Sequence, residues 1–259
     1  MKRLRKRFIV LIAILVLIVC GFLWAKEQYV VPIVMYHRIN NQAELSKLNV
    51  SPESFKTQMQ FLKKHRYNVV KLEELPDLMK KGALPYKTIA ITFDDGYENN
   101  YTEAYPVLKE FNIPATIFIS PALIGKEDYL TWDQVIELSE SGLVSIGSHT
   151  MTHAWLPGKA TQDLDMEIYD SKRAIESHLR KEVNSFSYPL GGFDRYIREK
   201  VINAGYKIAV ATNPGKDYPK HDIFAMKRVR ISRTSDNLFV FWIETSGFYT
   251  WIKEHRDED

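Results

Sequence analysis

The stretch Thr-Ile-Ala-Ile-Thr-Phe-Asp-Asp-Gly, residues 88–96, decides how the rest of the sequence is interpreted. Its largely apolar first half predicts a buried strand. Asp94 and Asp95 follow at the strand end, where burying two adjacent charges is costly unless a partner compensates them. Gly96 permits a turn, so that one carboxylate could bind a cation while the other stays free to act as a base. The alternative is an ordinary turn, because Asp-Gly is a common turn pair.

Composition indicates one folded domain with a sizeable core. The chain has 259 residues, of which 45% are hydrophobic and 26% are charged. The net charge is only +3, and five basic residues lie within residues 1–7, so the remainder is slightly acidic. This charge balance gives no support for nucleic-acid binding. Cys20 is the only cysteine, which excludes an intrachain disulfide.

An uncharged run over residues 8–25 predicts a transmembrane helix. A helix of this length extends roughly 27 Å, close to the hydrocarbon thickness of a bilayer. The basic residues 1–7 favour a cytoplasmic N-terminus, with residues 28–259 forming a domain outside the cell membrane. The alternative is a secreted protein released by signal cleavage. Leu23-Trp24-Ala25 is a poor cleavage site, so we expect a retained signal anchor.

Strands alternate with helices along the rest of the chain. Strands are predicted over residues 30–36, 67–70, 88–91, 115–119, 143–146, 185–188, 207–211 and 227–231. Helices are predicted from the capping pair Ser51-Pro52, over residues 72–81, 99–112, 131–141 and 194–204, and from residues 161 and 236 onward. This alternation predicts an α/β fold with a mainly parallel sheet, open or closed into a barrel. In such folds the active site lies at the C-terminal ends of the strands.

Titratable side chains gather at these predicted strand ends. They are His37, the pair Asp94-Asp95, and His149 with His153. The two latter histidines are four residues apart, so on a helical turn their rings would share one face, about 6 Å apart. Two imidazoles and one carboxylate form a three-ligand set that leaves positions open for water and substrate, as in catalytic zinc sites. The alternative is a pair of surface histidines.

Two motifs, Thr-Phe-Asp-Asp-Gly at residues 92–96 and Ser-His-Thr-Met-Thr-His at residues 148–153, resemble those of the NodB-type polysaccharide deacetylases, carbohydrate esterase family 4. The resemblance covers roughly residues 30–231. It implies a distorted (β/α) barrel of the NodB-homology type that removes acetyl groups from N-acetylated amino sugars. It also implies that Asp94 is the catalytic base and that Asp95, His149 and His153 bind one divalent metal ion. Zn²⁺ suits these ligands best, although Co²⁺, Ni²⁺, Mn²⁺ or Fe²⁺ would bind the same set.

The third family motif departs from the usual pattern. Ser187 stands where many members have an arginine that holds the catalytic aspartate, and Leu190 stands where an aromatic residue is common. The Leu190 backbone N–H could still stabilise an oxyanion, because this role needs no particular side chain. Arg228 or Arg230, on a late predicted strand, could replace the missing arginine beside Asp94. The alternative is that both are surface arginines on an edge strand.

The late Leu-x-His motif, which supplies the general acid in many members, is absent. After residue 212 the histidines are His221 and His255, in a different setting. His37 ends the first predicted strand, and a barrel brings its first and last strands together. We therefore predict that His37 protonates the leaving amine, as the resemblance to the poly-β-1,6-N-acetylglucosamine and Gram-positive envelope deacetylases implies. The alternative is a histidine that only packs at a strand end.

The sequence thus predicts a monomeric, membrane-anchored, metal-dependent deacetylase of N-acetylglucosamine-containing polysaccharide in the cell wall or matrix. It does not distinguish peptidoglycan, poly-N-acetylglucosamine and chito-oligosaccharide as substrates. Aromatic residues near the predicted loops suit a sugar-binding groove but equally suit the core; they are Tyr97, Trp132, Trp155, Tyr188 and Phe193. The alternatives are a catalytically weak or inactive carbohydrate-binding protein of the same fold, or a metal-dependent amide hydrolase acting on a small molecule.

Overall fold

A computed structural model describes residues 2–41, 46, 48–82, 84–212, 218–219 and 221–256. Within these residues, nine strands form one sheet in which all pairs are parallel. The strands are β1 (Ile33–Tyr36), β2 (Asn68–Val70), β3 (Thr88–Phe93), β4 (Ala115–Ile119), β5 (Val144–Ser148), β6 (Ser185–Ser187), β7 (Ile208–Ala211), β8 (Met226–Lys227) and β9 (Val229–Arg230).

The sheet closes on itself through one late segment, residues 226–230. The strand order is β8-β7-β6-β5-β4-β3-β1-β9, with β2 pairing separately with β3. Because β8 and β9 flank the single residue Arg228, the same segment pairs with β7 on one side and with β1 on the other. The structure is therefore a nearly closed (β/α) barrel, which confirms the predicted NodB-type fold.

Ten α-helices are present in the described part of the chain. They are α1 (Lys2–Gln28), α2 (Pro52–Lys64), α3 (Leu75–Lys80), α4 (Tyr105–Phe111), α5 (Trp132–Glu140), α6 (Thr161–Asp165), α7 (Ser171–Leu179), α8 (Arg195–Asn203), α9 (Leu238–Glu244) and α10 (Tyr249–Arg256). The predicted caps are present: the Ser51 side chain accepts a hydrogen bond from the Ser54 N–H, and Thr131 forms a capping box with Gln134.

Several helices are more irregular than the sequence pattern predicts. A π-helical turn at Met166–Asp170 separates α6 from α7, where one long helix is expected from Thr161. A second π-helical turn, Asn100–Ala104, precedes α4, and a 3₁₀ turn, Leu72–Glu74, precedes α3. The helix expected from Asp236 begins at Leu238, because the Asn237 side chain caps it by accepting from the Phe239 N–H.

The core has two layers, which follow from the alternation of side chains along each strand. A smaller cluster includes Ile33, Ala90, Phe118, Val210 and Met226, from strands around the barrel interior. The larger cluster joins the opposite faces of the strands to the surrounding helices. Both layers are almost entirely apolar, so polar groups of the strands are concentrated at the strand ends.

The N-terminal helix α1 carries exposed apolar side chains along most of its length. Residues Arg7–Gln28 are long and apolar enough to cross a membrane, and a signal sequence near an N-terminus would meet the same criterion. The division into residues 1–7, 8–25 and 28–259 remains a prediction. The connection from α1 to β1 is short, because only residues 29–32 separate them.

Candidate active site

The two carboxylates at the end of β3 reach the same site because the chain turns at Asp95 and Gly96. Both residues have positive φ angles, 75° and 71°. Gly96 is required twice over: a side chain would be strained at this φ, and a Cβ would lie 2.9 Å from the Ile119 Cγ2. Asp94 is fixed by its backbone N–H, which donates to the Tyr36 carbonyl of β1 at 3.0 Å.

His149 and His153 lie on a turn after β5, and the expectation of a helical turn is wrong. Thr150 and His153 have φ angles of 64° and 61°, which no right-handed helix contains. A β-branched threonine in this region is uncommon and indicates local backbone strain. The turn nevertheless brings the two imidazole rings together, with 4.8 Å between their centroids.

Asp95, His149 and His153 form a compact cluster of potential metal ligands. The Asp95 Oδ1 lies 3.5 Å from the His149 Nε2 and 3.2 Å from the His153 Nε2. The three potential ligand atoms all lie within 4.8 Å of one another. Bonds of about 2.1 Å from one cation to three such atoms, at roughly tetrahedral angles, would give comparable separations.

The tautomer of His149 determines which of its ring nitrogens can bind a cation. Its Nδ1 lies 2.8 Å from the Ser187 carbonyl oxygen, which can only accept, so Nδ1 carries the proton. Burial lowers the pKa of His149, although Asp94 and Asp95 oppose this, and the lower pKa favours the neutral ring. The Nε2 lone pair therefore faces the Asp95 Oδ1 at 3.5 Å and the Asp94 Oδ2 at 3.8 Å. Acceptor groups that converge in this way are stabilised by a cation between them.

Asp94 is held by a buried arginine from the segment that closes the barrel. Arg228 Nη1 and Nη2 donate to the two Asp94 carboxylate oxygens, each at 2.6 Å. Burial raises the pKa of Asp94, but Arg228 and His149 more than offset it, so the pKa lies below its ordinary value. The carboxylate is therefore ionised and fixed in orientation.

Arg228 also explains how the chain accommodates Ser187. The Arg228 Nη2 donates to the Ser187 Oγ at 2.9 Å, so the small side chain leaves room for a guanidinium that arrives from another strand. Of the two arginines considered from sequence, Arg228 occupies this position, and Arg230 is exposed. The edge-strand alternative is wrong for Arg228, because its segment lies between β7 and β1 and its side chain is 0% exposed.

His37 lies just after β1, at the same end of the barrel. Its Nδ1 is buried and has no hydrogen-bond partner among the described residues. Burial lowers the pKa of His37, while the nearby Asp94 and Asp95 act in the opposite direction. A cavity of about 340 Å³ opens beside it and is also lined by Arg38, Asp95 and Tyr97.

Leu190 lies in a 3₁₀ turn, Pro189–Gly191, that follows β6. Its φ of 55° is positive, its side chain is 73% exposed, and its backbone N–H makes no hydrogen bond within the described part of the chain. The neighbouring strand β5 leads into His149, so this N–H belongs to the same end of the barrel. These features are compatible with the predicted role of Leu190.

The predicted aromatic residues divide into two groups. Tyr188 is fully buried and stacks on Phe193, and Trp132 stacks on His178 outside the barrel, so these three serve packing. Tyr97 lines the cavity beside His37, and Trp155 is 51% exposed. Only Tyr97 and Trp155 therefore remain candidates for contact with a sugar ring.

Glu167 is a further site residue that the sequence analysis missed. It lies in the π-helical turn Met166–Asp170 and is 1% exposed. Its carboxylate accepts from the Thr152 N–H at 2.9 Å and from the Thr152 hydroxyl at 2.6 Å. Its carbonyl accepts from the Met151 N–H at 3.1 Å. Glu167 thus holds the strained turn that carries His149 and His153.

Comparison with known proteins supports the family that the two motifs indicate. The chain is 34% identical over 216 residues to the Bacillus subtilis (strain 168) protein YxkH, which is named as a polysaccharide deacetylase, and the match covers 83% of this chain and 76% of YxkH. This chain belongs to the polysaccharide deacetylases. The sequence profile of the polysaccharide deacetylase family matches residues 81–209, which include both motifs of the site.

Two further relatives of this polysaccharide deacetylase are informative. The poly-β-1,6-N-acetyl-D-glucosamine N-deacetylase of Staphylococcus epidermidis is 28% identical over 231 residues, covering 83% of this chain and 75% of that protein. The solved structure of the Streptococcus pyogenes deacetylase PplD in complex with acetate aligns with a TM-score of 0.74 and 28% identity, covering 82% of this chain and 97% of that one. The family resemblance inferred from the two motifs is therefore confirmed.

Proposed function

We propose that this polysaccharide deacetylase is a metal-dependent N-deacetylase of N-acetylglucosamine-containing polysaccharide in the cell envelope or matrix. The observation that carries the proposal is the convergence of the His149 Nε2 and two carboxylates, with His153 completing the cluster. Arg228 compensates the charge of Asp94, whereas Asp95 lies against the two imidazoles in this largely buried site. A divalent cation would bind Asp95, His149 and His153 at once.

The donor set fits a first-row divalent ion. Asp95, His149 and His153 would hold it through one carboxylate oxygen and two Nε2 atoms. Zn²⁺ suits two imidazoles and one carboxylate, and Co²⁺, Ni²⁺, Mn²⁺ or Fe²⁺ would also bind this set. When bound, such an ion makes a water molecule more acidic and polarises the acyl oxygen of the substrate.

Asp94 acts as the general base. It lies beside the ligand cluster, with 3.8 Å between its Oδ2 and the His149 Nε2, and it takes a proton from the attacking water. Arg228 keeps this carboxylate ionised and prevents it from rotating. Arg228 is therefore a positioning residue, and the pairing of both its nitrogens with both carboxylate oxygens supports this role.

His37 and Leu190 act on the other parts of the acetamide. His37 donates a proton to the departing amine from its position beside the cavity. The Leu190 backbone N–H donates to the acyl oxygen as negative charge develops there. The products are acetate and a free glucosamine unit.

The class of substrate is supported by the relatives and by the open cavity. The Staphylococcus epidermidis relative is named for poly-β-1,6-N-acetyl-D-glucosamine, and PplD was solved in complex with acetate, the second product of a deacetylation. Trp155 offers an exposed aromatic face near the site, and flat apolar faces pack well on pyranose rings. The Tyr97 ring instead packs against Arg38, 3.7 Å from its centroid, and against Tyr129. The apolar helix α1 supports placement at the outer face of the membrane.

Acetate release from three polymers tests the proposal. The full-length protein is incubated with poly-β-1,6-N-acetylglucosamine, chito-oligosaccharides and peptidoglycan, each with and without a chelator and with metal added back. We expect release from at least one polymer, its loss with chelator, and its recovery with Zn²⁺ or Co²⁺. Release that is insensitive to chelator would exclude the metal. Polymer binding without release would favour an inactive carbohydrate-binding protein.

A matched pair of variants makes this test specific. Arg228→Ala removes the partner of Asp94, whereas Arg230→Ala removes an exposed arginine two residues away on the same segment. We expect acetate release to fall only in the first variant. Equal activity of the two variants would remove Arg228 from the mechanism.

A further inference from the structure

The transmembrane helix and the barrel are joined without a flexible tether. Val30 and Val31, in the four-residue connection, are 5% and 4% exposed. The Val30 N–H donates to the Gly247 carbonyl at 2.9 Å, and the Tyr29 ring lies 5.8 Å from the Phe248 ring. A Cβ at Gly247 would lie 2.2 Å from the Tyr29 ring, so the connection packs directly on the chain between α9 and α10. The position of α1 therefore sets the position of the domain.

This connection enters the barrel at the N-terminal ends of its strands. Because all strands are parallel, the site described above lies at the opposite end. The aromatic ring of Trp24, in the last turns of the apolar run, lies 5.5 Å from the ring of Trp251 in α10. Tryptophan at the end of a membrane span marks the depth of the lipid headgroups. The contact therefore places α10 at this depth when α1 spans a bilayer.

An aromatic cleft opens beside the connection. It has a volume of about 290 Å³ and is lined by Tyr29, Tyr67, Tyr86, Trp242 and Phe248 together with Lys87. Tyr86 is 85% exposed and Trp242 is 48% exposed. Tyrosine and tryptophan next to lysine are the side chains enriched where a protein meets the membrane–water interface. An exposed aromatic group of this size is unusual on a surface that faces only water.

The loops around the cleft are basic. Residues 63–91, which include these loops, carry seven lysines and arginines against three acids, Glu73, Glu74 and Asp77, and six of the seven basic residues lie in residues 63–70 and 78–91. These six basic residues are Lys63, Lys64, Arg66, Lys80, Lys81 and Lys87. Basic side chains close to an anionic bilayer are attracted to its surface. The loops at the opposite end carry mainly acids, among them Asp94, Asp95 and Glu98.

We propose that this basal face, formed by the aromatic cleft and the six basic residues around it, docks on the headgroups of an anionic phospholipid bilayer. The rigid connection to α1 and the Trp24–Trp251 contact bring the face to that surface. The aromatic rings enter the headgroup layer, and the basic side chains pair with lipid phosphates. The site at the opposite end of the barrel then faces away from the membrane, toward the polymer.

Depth-dependent quenching in nanodiscs tests this orientation. The full chain, with Cys20→Ser as background, is labelled with a fluorophore at Tyr86→Cys or at Tyr196→Cys. Tyr86 belongs to the basal face, and Tyr196, which is 48% exposed, lies in the first turn of α8 after the loop that contains Leu190. The nanodiscs contain phosphatidylcholine alone or mixed equally with phosphatidylglycerol, with a spin label on the lipid headgroup. We expect strong quenching at position 86, more in the anionic nanodisc, and none at position 196.

Charge reversal on the basal face provides a second test. Lys80→Glu with Lys81→Glu alters two exposed residues far from the site, and we expect it to weaken docking by at least about tenfold in the anionic nanodisc. Equal quenching at positions 86 and 196, or no quenching at either, would overturn the proposal. A change in the emission of the fluorophore at position 86 with soluble chito-oligosaccharide, without quenching by lipid, would identify the cleft as a glycan site and would also overturn it. None of these readouts depends on acetate release, so failure here is distinct from failure of the proposed function.

Discussion

The two ends of the barrel are built from the same strands but differ in charge and in backbone geometry. The C-terminal end contains buried acids and histidines, and its strained residues, Thr150 and His153, lie within the site. The N-terminal end is basic and aromatic, and its positive φ angles at Asn112 and Arg180 are ordinary left-handed helix caps. Strain at Thr150 and His153 therefore positions chemical groups, whereas the positive φ angles of Asn112 and Arg180 only terminate helices.

The largest effect is expected from Asp94→Asn. The substitution keeps the size of the side chain but removes the base, so kcat should fall by about 10²–10⁴. Metal content, measured by elemental analysis, should be unchanged, because the proposed ligands are Asp95, His149 and His153. A variant that retains activity within a factor of about two would exclude Asp94 as the base.

His37→Ala should have the next largest effect. Loss of the general acid should reduce kcat by about a hundredfold, with metal content intact. The control is His221→Ala, because His221 is exposed and precedes β8. Unchanged turnover in His37→Ala would leave this histidine as a packing residue at a strand end.

Glu167→Gln should reduce activity to an intermediate extent, because it weakens the binding of the metal. Removing the carboxylate charge weakens the hold on Thr152, so the affinity for the metal should fall about 10–100-fold. At saturating metal the kcat should approach that of the wild type, which a purely destabilising change would not produce. Asp163→Asn, an exposed acid on the preceding helix, is the matched control. Equal metal titrations for the two variants would exclude a positioning role.

Glu244→Gln should leave activity unchanged and alter stability alone. Burial raises the pKa of Glu244 from 4.5 to about 7, although a hydrogen bond from Ser235 acts in the opposite direction. Between these values the folded state binds more protons than the unfolded state, so wild-type stability falls as the pH rises and levels off above about 7. The Glu244→Gln variant cannot lose a proton at this position, so its free energy of unfolding should exceed that of the wild type by up to about 3 kcal/mol at alkaline pH. At acid pH the two proteins should be equally stable. Denaturant unfolding of both proteins across this pH range measures the difference in stability. Stability profiles that run parallel with pH in the two proteins would contradict the prediction.

Much of the site could be predicted because its groups follow directly from strand ends. A buried strand that ends in two carboxylates, and another that leads into two histidines, place all of these side chains at one end of any parallel barrel. Gly96 could be assigned to the turn for the same local reason. The strand boundaries differed by one to a few residues, since β1 begins at Ile33 where residue 30 was expected.

What escaped prediction depends on contacts between distant parts of the chain. The sequence offered Arg228 and Arg230 equally, and the choice between them depends on how residues 226–230 are shared between β7 and β1, which no local pattern contains. Glu167 was hidden because a helix with Leu164 and Ile168 on its inner face reads as ordinary amphipathic packing. The signal that the sequence offered was an acidic residue, Glu167, directly beside the apolar residue Ile168. The turn at residues 149–153 was misjudged because the spacing of two histidines contains no information about φ.

Closure of the barrel by residues 226–230 has a consequence for biogenesis. The chain supplies the carboxylate at residue 94 early and its guanidinium partner 134 residues later. A nascent or truncated polypeptide that ended before this segment would contain every ligand residue but an unpaired base. The base therefore gains its partner only when synthesis of the domain is almost complete.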